Sequence, residues 1–135
     1  MALARETDAK LVKLLGDPIT AQAHTFRATA GAALEAGEIV YIDSSGYVRP
    51  ASAAAVNTNF VVGVALQDAA PGERVDIAMS GARVLCLSDA TAGSIVYTSD
   101  TAGEPSHTAG TKTAVVGVAL SDTILLVQPT MVSFV

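Results

Sequence analysis

Few residues in this chain have the types and spacing that chemistry requires. The only imidazoles are His24 and His107, and the only thiol is Cys86. Neither histidine stands at metal-ligand spacing from another histidine, a cysteine or a carboxylate, and His107 lies in a Ser/Thr/Gly loop. Cys86 falls in the apolar run Arg83-Val84-Leu85-Cys86-Leu87, where a thiol is expected to act as a small buried hydrophobe. A nucleophilic thiol needs a neighbour that lowers its pKa, and none is evident. Asp68 and Asp122 follow the same motif twice, which raises a carboxylate pair; at strand ends before turns, both fit turn capping better. Ser44-Ser45-Gly46 lacks the G-x-S-x-G elbow, and no G-x-x-x-x-G-K-[ST] phosphate loop is present. The expectation is therefore no catalytic residue, no metal, no cofactor and no small-molecule substrate.

The elements that would position such groups point the same way. A chain of 135 residues is sized for one domain. Half of it is apolar, including 25 alanines, but only 4% is aromatic and there is no tryptophan. A core built from Val, Ile, Leu and Ala suits strands, because branched side chains pack well on a pleated surface. One cysteine excludes an internal disulfide framework. Apolar runs such as Phe60 to Leu66 fall far short of the ~20 residues that a membrane helix needs. The opening Met1-Ala2-Leu3-Ala4-Arg5-Glu6 has no apolar h-region, so no signal peptide is expected. The net charge is −5, divided as +1 over residues 1–27 and −6 over residues 28–135. An acidic body without a Lys/Arg stripe is a poor partner for nucleic acid.

An internal repeat organises that body. Gly37-Glu38-Ile39-Val40-Tyr41-Ile42-Asp43 recurs 56 residues later as Gly93-Ser94-Ile95-Val96-Tyr97-Thr98-Ser99. Val61-Val62-Gly63-Val64-Ala65-Leu66-Gln67-Asp68 recurs 54 residues later as Val115-Val116-Gly117-Val118-Ala119-Leu120-Ser121-Asp122. Gly46 and Gly103 fall at matching places between these blocks. Gly37, Gly46, Gly63, Gly93, Gly103 and Gly117 are accordingly the candidate fold-defining positions. A glycine inside a strand marks a bulge, a bend or a close backbone approach. Val75, Ile77 and Met79 alternate with Asp76, Ala78 and Ser80, whereas Ile124 to Val127 is apolar throughout and is expected to be buried on both faces. With Thr25 to Thr29 and Arg83 to Ser88, eight to ten short strands are expected. The predicted fold is all-β: a small closed barrel, 28–130, made of two similar halves, 28–81 and 82–130.

The ends differ from the body. Residues 1–27 read as an arm in which Asp8 could cap a short helix with Leu11, Leu14 and Leu15 on one face. Seven helical residues do not stand alone in water, so the arm is expected to order only by docking. Residues 131–135 form a short apolar tail. Leu11, Leu14, Leu15, Met131 and Phe134 are the candidate partner contacts, since apolar ends left in solvent are adhesive.

At this point the repeat resembles a known family. The stretch from Ala28-Thr29-Ala30-Gly31 through Gly37-Glu38-Ile39-Val40-Tyr41-Ile42-Asp43 to Gly46-Tyr47-Val48 is similar to the opening of tailed-phage capsid decoration, or head cement, proteins. So are Val62-Gly63-Val64-Ala65-Leu66, Pro71-Gly72-Glu73-Arg74-Val75, and the second-half blocks around Gly93 and Gly117. The resemblance implies a homotrimer of small β-tulip-like barrels on the exterior of a virion, made in the host cytoplasm. It also implies that the trimer binds the major capsid protein at three-fold and quasi-three-fold junctions and reinforces the shell against DNA pressure. Two alternatives remain: a receptor- or glycan-binding module using Tyr41, Tyr47 and Tyr97, and a trimeric β-barrel enzyme such as a nucleotide hydrolase.

Overall fold

Branched residues at every second position, broken by Gly-containing turns, give this chain short antiparallel strands. The computed structural model describes residues 4–11, as backbone, and residues 24–131. The strands are β1 (Ala4–Leu11), β2 (Thr25–Thr29), β3 (Ile39–Ile42), β4 (Val48–Pro50), β5 (Val61–Ala65) and β6 (Arg74–Ala78). They continue as β7 (Arg83–Ser88), β8 (Ile95–Thr98), β9 (Pro105–Ser106), β10 (Ala114–Ala119) and β11 (Ile124–Met131). One sheet has the order β2-β6-β5-β3-β4 and the other β1-β7-β11-β10-β8-β9. Without β1, the two orders are the same arrangement written twice. Each half of the repeat makes one five-stranded sheet, and β1 is an addition to the second.

The correspondence reaches individual hydrogen bonds. Gly37 N–H donates to Ala65 O at 2.8 Å, and Gly93 N–H donates to Ala119 O at 2.7 Å. Ala65 N–H returns to Glu38 O at 2.8 Å, and Ala119 N–H returns to Ser94 O at 3.0 Å. Gly37 and Gly93 hold φ of 90° and 84°, in turns closed by Glu38 N–H to Glu35 O and Ser94 N–H to Thr91 O. That is the type II geometry in which the third residue needs positive φ. The strand glycines answer a different need. A Cβ on Gly63 would collide with the Ala78 carbonyl oxygen, and one on Gly117 with that of Leu126. Both lie where the ladder register shifts, so the backbones approach closely at a bulge.

The two sheets do not close alike. The first curls until its edges meet, with Ala30 bridging Val48 and Gly31 N–H donating to Val48 O at 2.8 Å. Val40, Val48, Ala65, Val75 and Ile77 fill its concave side, and Leu34 from the loop after β2 plugs it. The second sheet stays open. Its concave side, carrying Val84, Val96, Val116, Leu125 and Val127, packs on the convex side of the first sheet through Ile39, Val61, Val64 and Ala78. The result is a stack with one core between the sheets and another within the curled one. Backbone bonds join the halves at the seam: Gly103 N–H donates to Ala51 O at 2.7 Å, and Ile39 N–H donates to Gly103 O at 3.1 Å.

Three expectations change. Asp8 does not open a helix: it lies within β1, whose residues Ala4, Arg5, Lys10 and Leu11 pair with Ser88, Leu87, Leu85 and Val84 of β7. The edge of β7 supplies backbone partners at both ends of the segment, which a helix too short to be stable in water cannot match. The expected helix residues Leu14 and Leu15 lie outside the described residues. In β6 the alternation stops at Ala78, which is buried between the sheets, while Met79 is 37% exposed. The second sheet covers this face of the first only at the Ala78 end, so the alternation reports solvent at Asp76, 36% exposed, and fails at Ala78. In β11, Leu125 and Val127 are buried but Ile124 and Leu126 are only half-buried, because nothing described covers the outer face of the second sheet.

Candidate functional site

The groups that could have done chemistry take up structural positions. Cys86 is buried in the core between the sheets. Asp68 Oδ1 accepts the Ala36 N–H at 2.8 Å, holding the loop that carries Leu34. The Asp122 carbonyl oxygen accepts the Ala90 N–H. His24 O accepts the Met79 N–H, and its ring lies against Gly81. His107 Nε2 accepts the Thr91 N–H at 3.0 Å, which leaves Nδ1 as the donor to Ile95 O at 2.9 Å. It therefore straps its loop to the start of β8. Among the described residues no three His, Cys, Asp or Glu side chains form a group able to hold a metal.

The carboxylates with displaced pKa values also serve turns. Asp43 Oδ1 accepts the Ser45 and Tyr47 N–H groups at 2.9 and 3.0 Å, and Oδ2 accepts Arg49 Nε–H at 2.7 Å. The Arg49 bond, then the Tyr47 amide, hold its carboxyl below its ordinary 3.8. At the matching place in the second half, Ser99 Oγ accepts the Thr101 N–H at 3.0 Å. Asp76 is lowered by Gln67 and then Arg27, and Asp100 by the Thr111 amide and hydroxyl. A depressed carboxyl contributes stability above its unfolded pKa, and loses it as pH falls through the folded value. Asp43→Ala is therefore expected to unfold at lower denaturant than the parent at pH 7, and at the same concentration once the pH is well below 3.8. Denaturant titrations at the two pH values check this; a difference that persists in acid would mean the side chain acts by packing instead.

What remains is surface. The second sheet's outer face carries Ile95, Val118 and Leu126 directly opposite one another on β8, β10 and β11. Beside them Val115 pairs with Tyr97, and Ile124 with Leu85. Ile95 is 46% exposed and the others are half-buried. A shallow groove continues along this face past Ser80, Gln128 and Pro129. Beyond a seam formed by Val115, Pro129, Thr130 and Asn59 stands Phe60, 61% exposed. It borders an open cleft of about 700 Å³ with Tyr41, Ile42 and Val62.

Composition hid this face. Ile124 to Val127 is apolar on both sides, so its periodicity carries no sign of which side is bare. The repeat was the available signal, since it aligns Ile95 with Ile39 and Val118 with Val64. Of the candidate terminal contacts, Leu11 ends β1 and Met131 ends β11, while Leu14, Leu15 and Phe134 lie outside the described residues. Of the candidate glycines, Gly46 has φ of 85° with open space around it, whereas Gly103, with φ of 81°, is pressed against the Glu38 side chain. Tyr41 packs on the core between the sheets, Tyr97 lies on the outer face, and Tyr47 is 45% exposed.

A comparison with curated proteins finds no match. The model of the phage cement protein family matches residues 20–123, which take in both sheets of the repeat apart from β1 and β11. With that match spanning most of an all-β body whose two sheets repeat one design, the chain belongs to the phage cement protein family, whose role is structural and associated with the capsid.

Proposed function

We propose that this protein decorates the outer surface of a phage head as a homotrimer. In this reading it binds the major capsid protein at three-fold and quasi-three-fold junctions and stabilises the shell against the pressure of packaged DNA. The observation that carries the reading is a sheet face with an apolar centre at Ile95, Val118 and Leu126 on an otherwise acidic body, the signature of a partner surface rather than a substrate site. Leu11, Leu14, Leu15, Met131 and Phe134, at the chain ends, supply further contacts to the shell or a neighbouring subunit. No single contact needs to be strong. Three modest contacts on a rigid trimer bind with avidity about 10²–10⁴ above one.

The test is to mix the protein with expanded, undecorated heads. The expected result is saturable co-sedimentation, a trimer by light scattering, and heads that release DNA at a higher temperature than bare ones. A monomer that fails to sediment with the heads overturns the reading.

A further inference from the structure

The internal repeat shows what a covered version of the bare face looks like. In the first sheet Ile39 pairs with Val64, and Val64 pairs with Ala78. In the second sheet Ile95 pairs with Val118, and Val118 pairs with Leu126. The two rows are the same row of the repeat, flanked by Tyr41 opposite Val61 in one and Tyr97 opposite Val115 in the other. In the first sheet, Ile39, Val64 and Ala78 are all at most 1% exposed, because the second sheet lies on them. In the second sheet nothing described lies on the row.

From this we infer that the outer face centred on Ile95, Val118 and Leu126 is the contact between copies of this chain. The inference rests on the self-association proposed above and names the surface that achieves it. Three observations favour a second copy over another occupant. The chain already covers the equivalent row with a sheet of its own, so this shape is one that its own β surface fits. Charge selects the same face: a body of −6 repels its copy, and Arg83, opposite Leu126 at the corner, is the only charged residue among the outward positions of β7, β11, β10 and β8. Area agrees as well. Four strands about 4.8 Å apart and ~5 residues long present on the order of 300 Å² in plan. That suits the apolar centre of an interface of about 800 Å² per partner, with polar residues and Phe60 at its rim.

The first variant is Ile95→Asp, because Ile95 is 46% exposed and a carboxylate there keeps its water in the monomer. Brought together in an oligomer, the same carboxylates meet apolar surface without partners. Sedimentation velocity on the full-length chain is expected to show a monomer, with the dissociation constant raised at least 100-fold and the circular dichroism melt unchanged. Val118→Asp, on the neighbouring strand, is expected to do the same, and Ile95→Ser serves where either aspartate variant fails to fold. Variants that stay folded and oligomeric overturn the inference, whether they keep capsid binding or lose it; loss would show that this face meets the shell. A wild-type chain that is monomeric yet sediments with heads also overturns it, while leaving the capsid role in place. Only a wild-type monomer that ignores heads removes both readings.

Discussion

Replacing Gly117 with alanine is expected to destabilise the protein by roughly 3 kcal/mol, because the added methyl has nowhere to go. Its Cβ would meet the carbonyl oxygen of Leu126 and lie 3.0 Å from the Gln128 amide nitrogen, both of them backbone atoms. Neither can rotate aside as a side chain could. The change would pull β10 from β11 at the bulge on which the second sheet is aligned. Gly63→Ala is expected to behave alike, since its Cβ would meet the Ala78 carbonyl oxygen across the equivalent bulge. Gly46→Ala is the control. It has no atom within 4 Å and pays only for φ of 85°, about 1–2 kcal/mol. Urea titrations of the three variants should therefore rank Gly117 and Gly63 well above Gly46. Equal losses at all three would show that backbone conformation, and not close approach, governs the strand glycines.

Deleting residues 1–22 is expected to leave the body folded while lowering capsid affinity by up to about 10³-fold in the proposed trimer, from roughly tenfold per subunit. The structural ground is that β1 is surplus to the repeat. Each half completes its five-stranded sheet without it, and β1 meets the sheet along the edge of β7 alone, with an irregular register between Arg5 and Lys10. The family match likewise begins at residue 20, after β1. Far-ultraviolet circular dichroism checks the fold, and titration of undecorated heads checks the affinity. A deletion that unfolds the chain would make β1 part of the core. One that binds heads as tightly as the full chain would remove the arm from the contact.

Much of this architecture is legible in the residues. The blocks around Gly37 and Gly93, and the two V-V-G-V-A segments, by themselves specify two like units. Alternating Val and Ile specify strands, because period-two burial is a local property of the pleat. Ala-Gly pairs at 36–37 and 92–93 specify the turns, because positive φ is a local property of glycine. Each of these follows from a few neighbouring residues.

The tertiary structure decided what no local pattern contains. Near-identical strands curl shut in the first half and stay open in the second. Leu34, in the longer loop after β2, plugs the first sheet, and the shorter loop after β7 has no counterpart. Residues 4–11 of the arm form a strand because the free edge of β7 offers them backbone partners more than 70 residues away in the chain. Most consequentially, Ile39 and Ile95 occupy the same place in the repeat, yet one is buried and the other is 46% exposed. Hydrophobicity records how strongly a side chain avoids water; which surface relieves it depends on what packs there. The sequence made two copies of one apolar row, and the fold covered only the first.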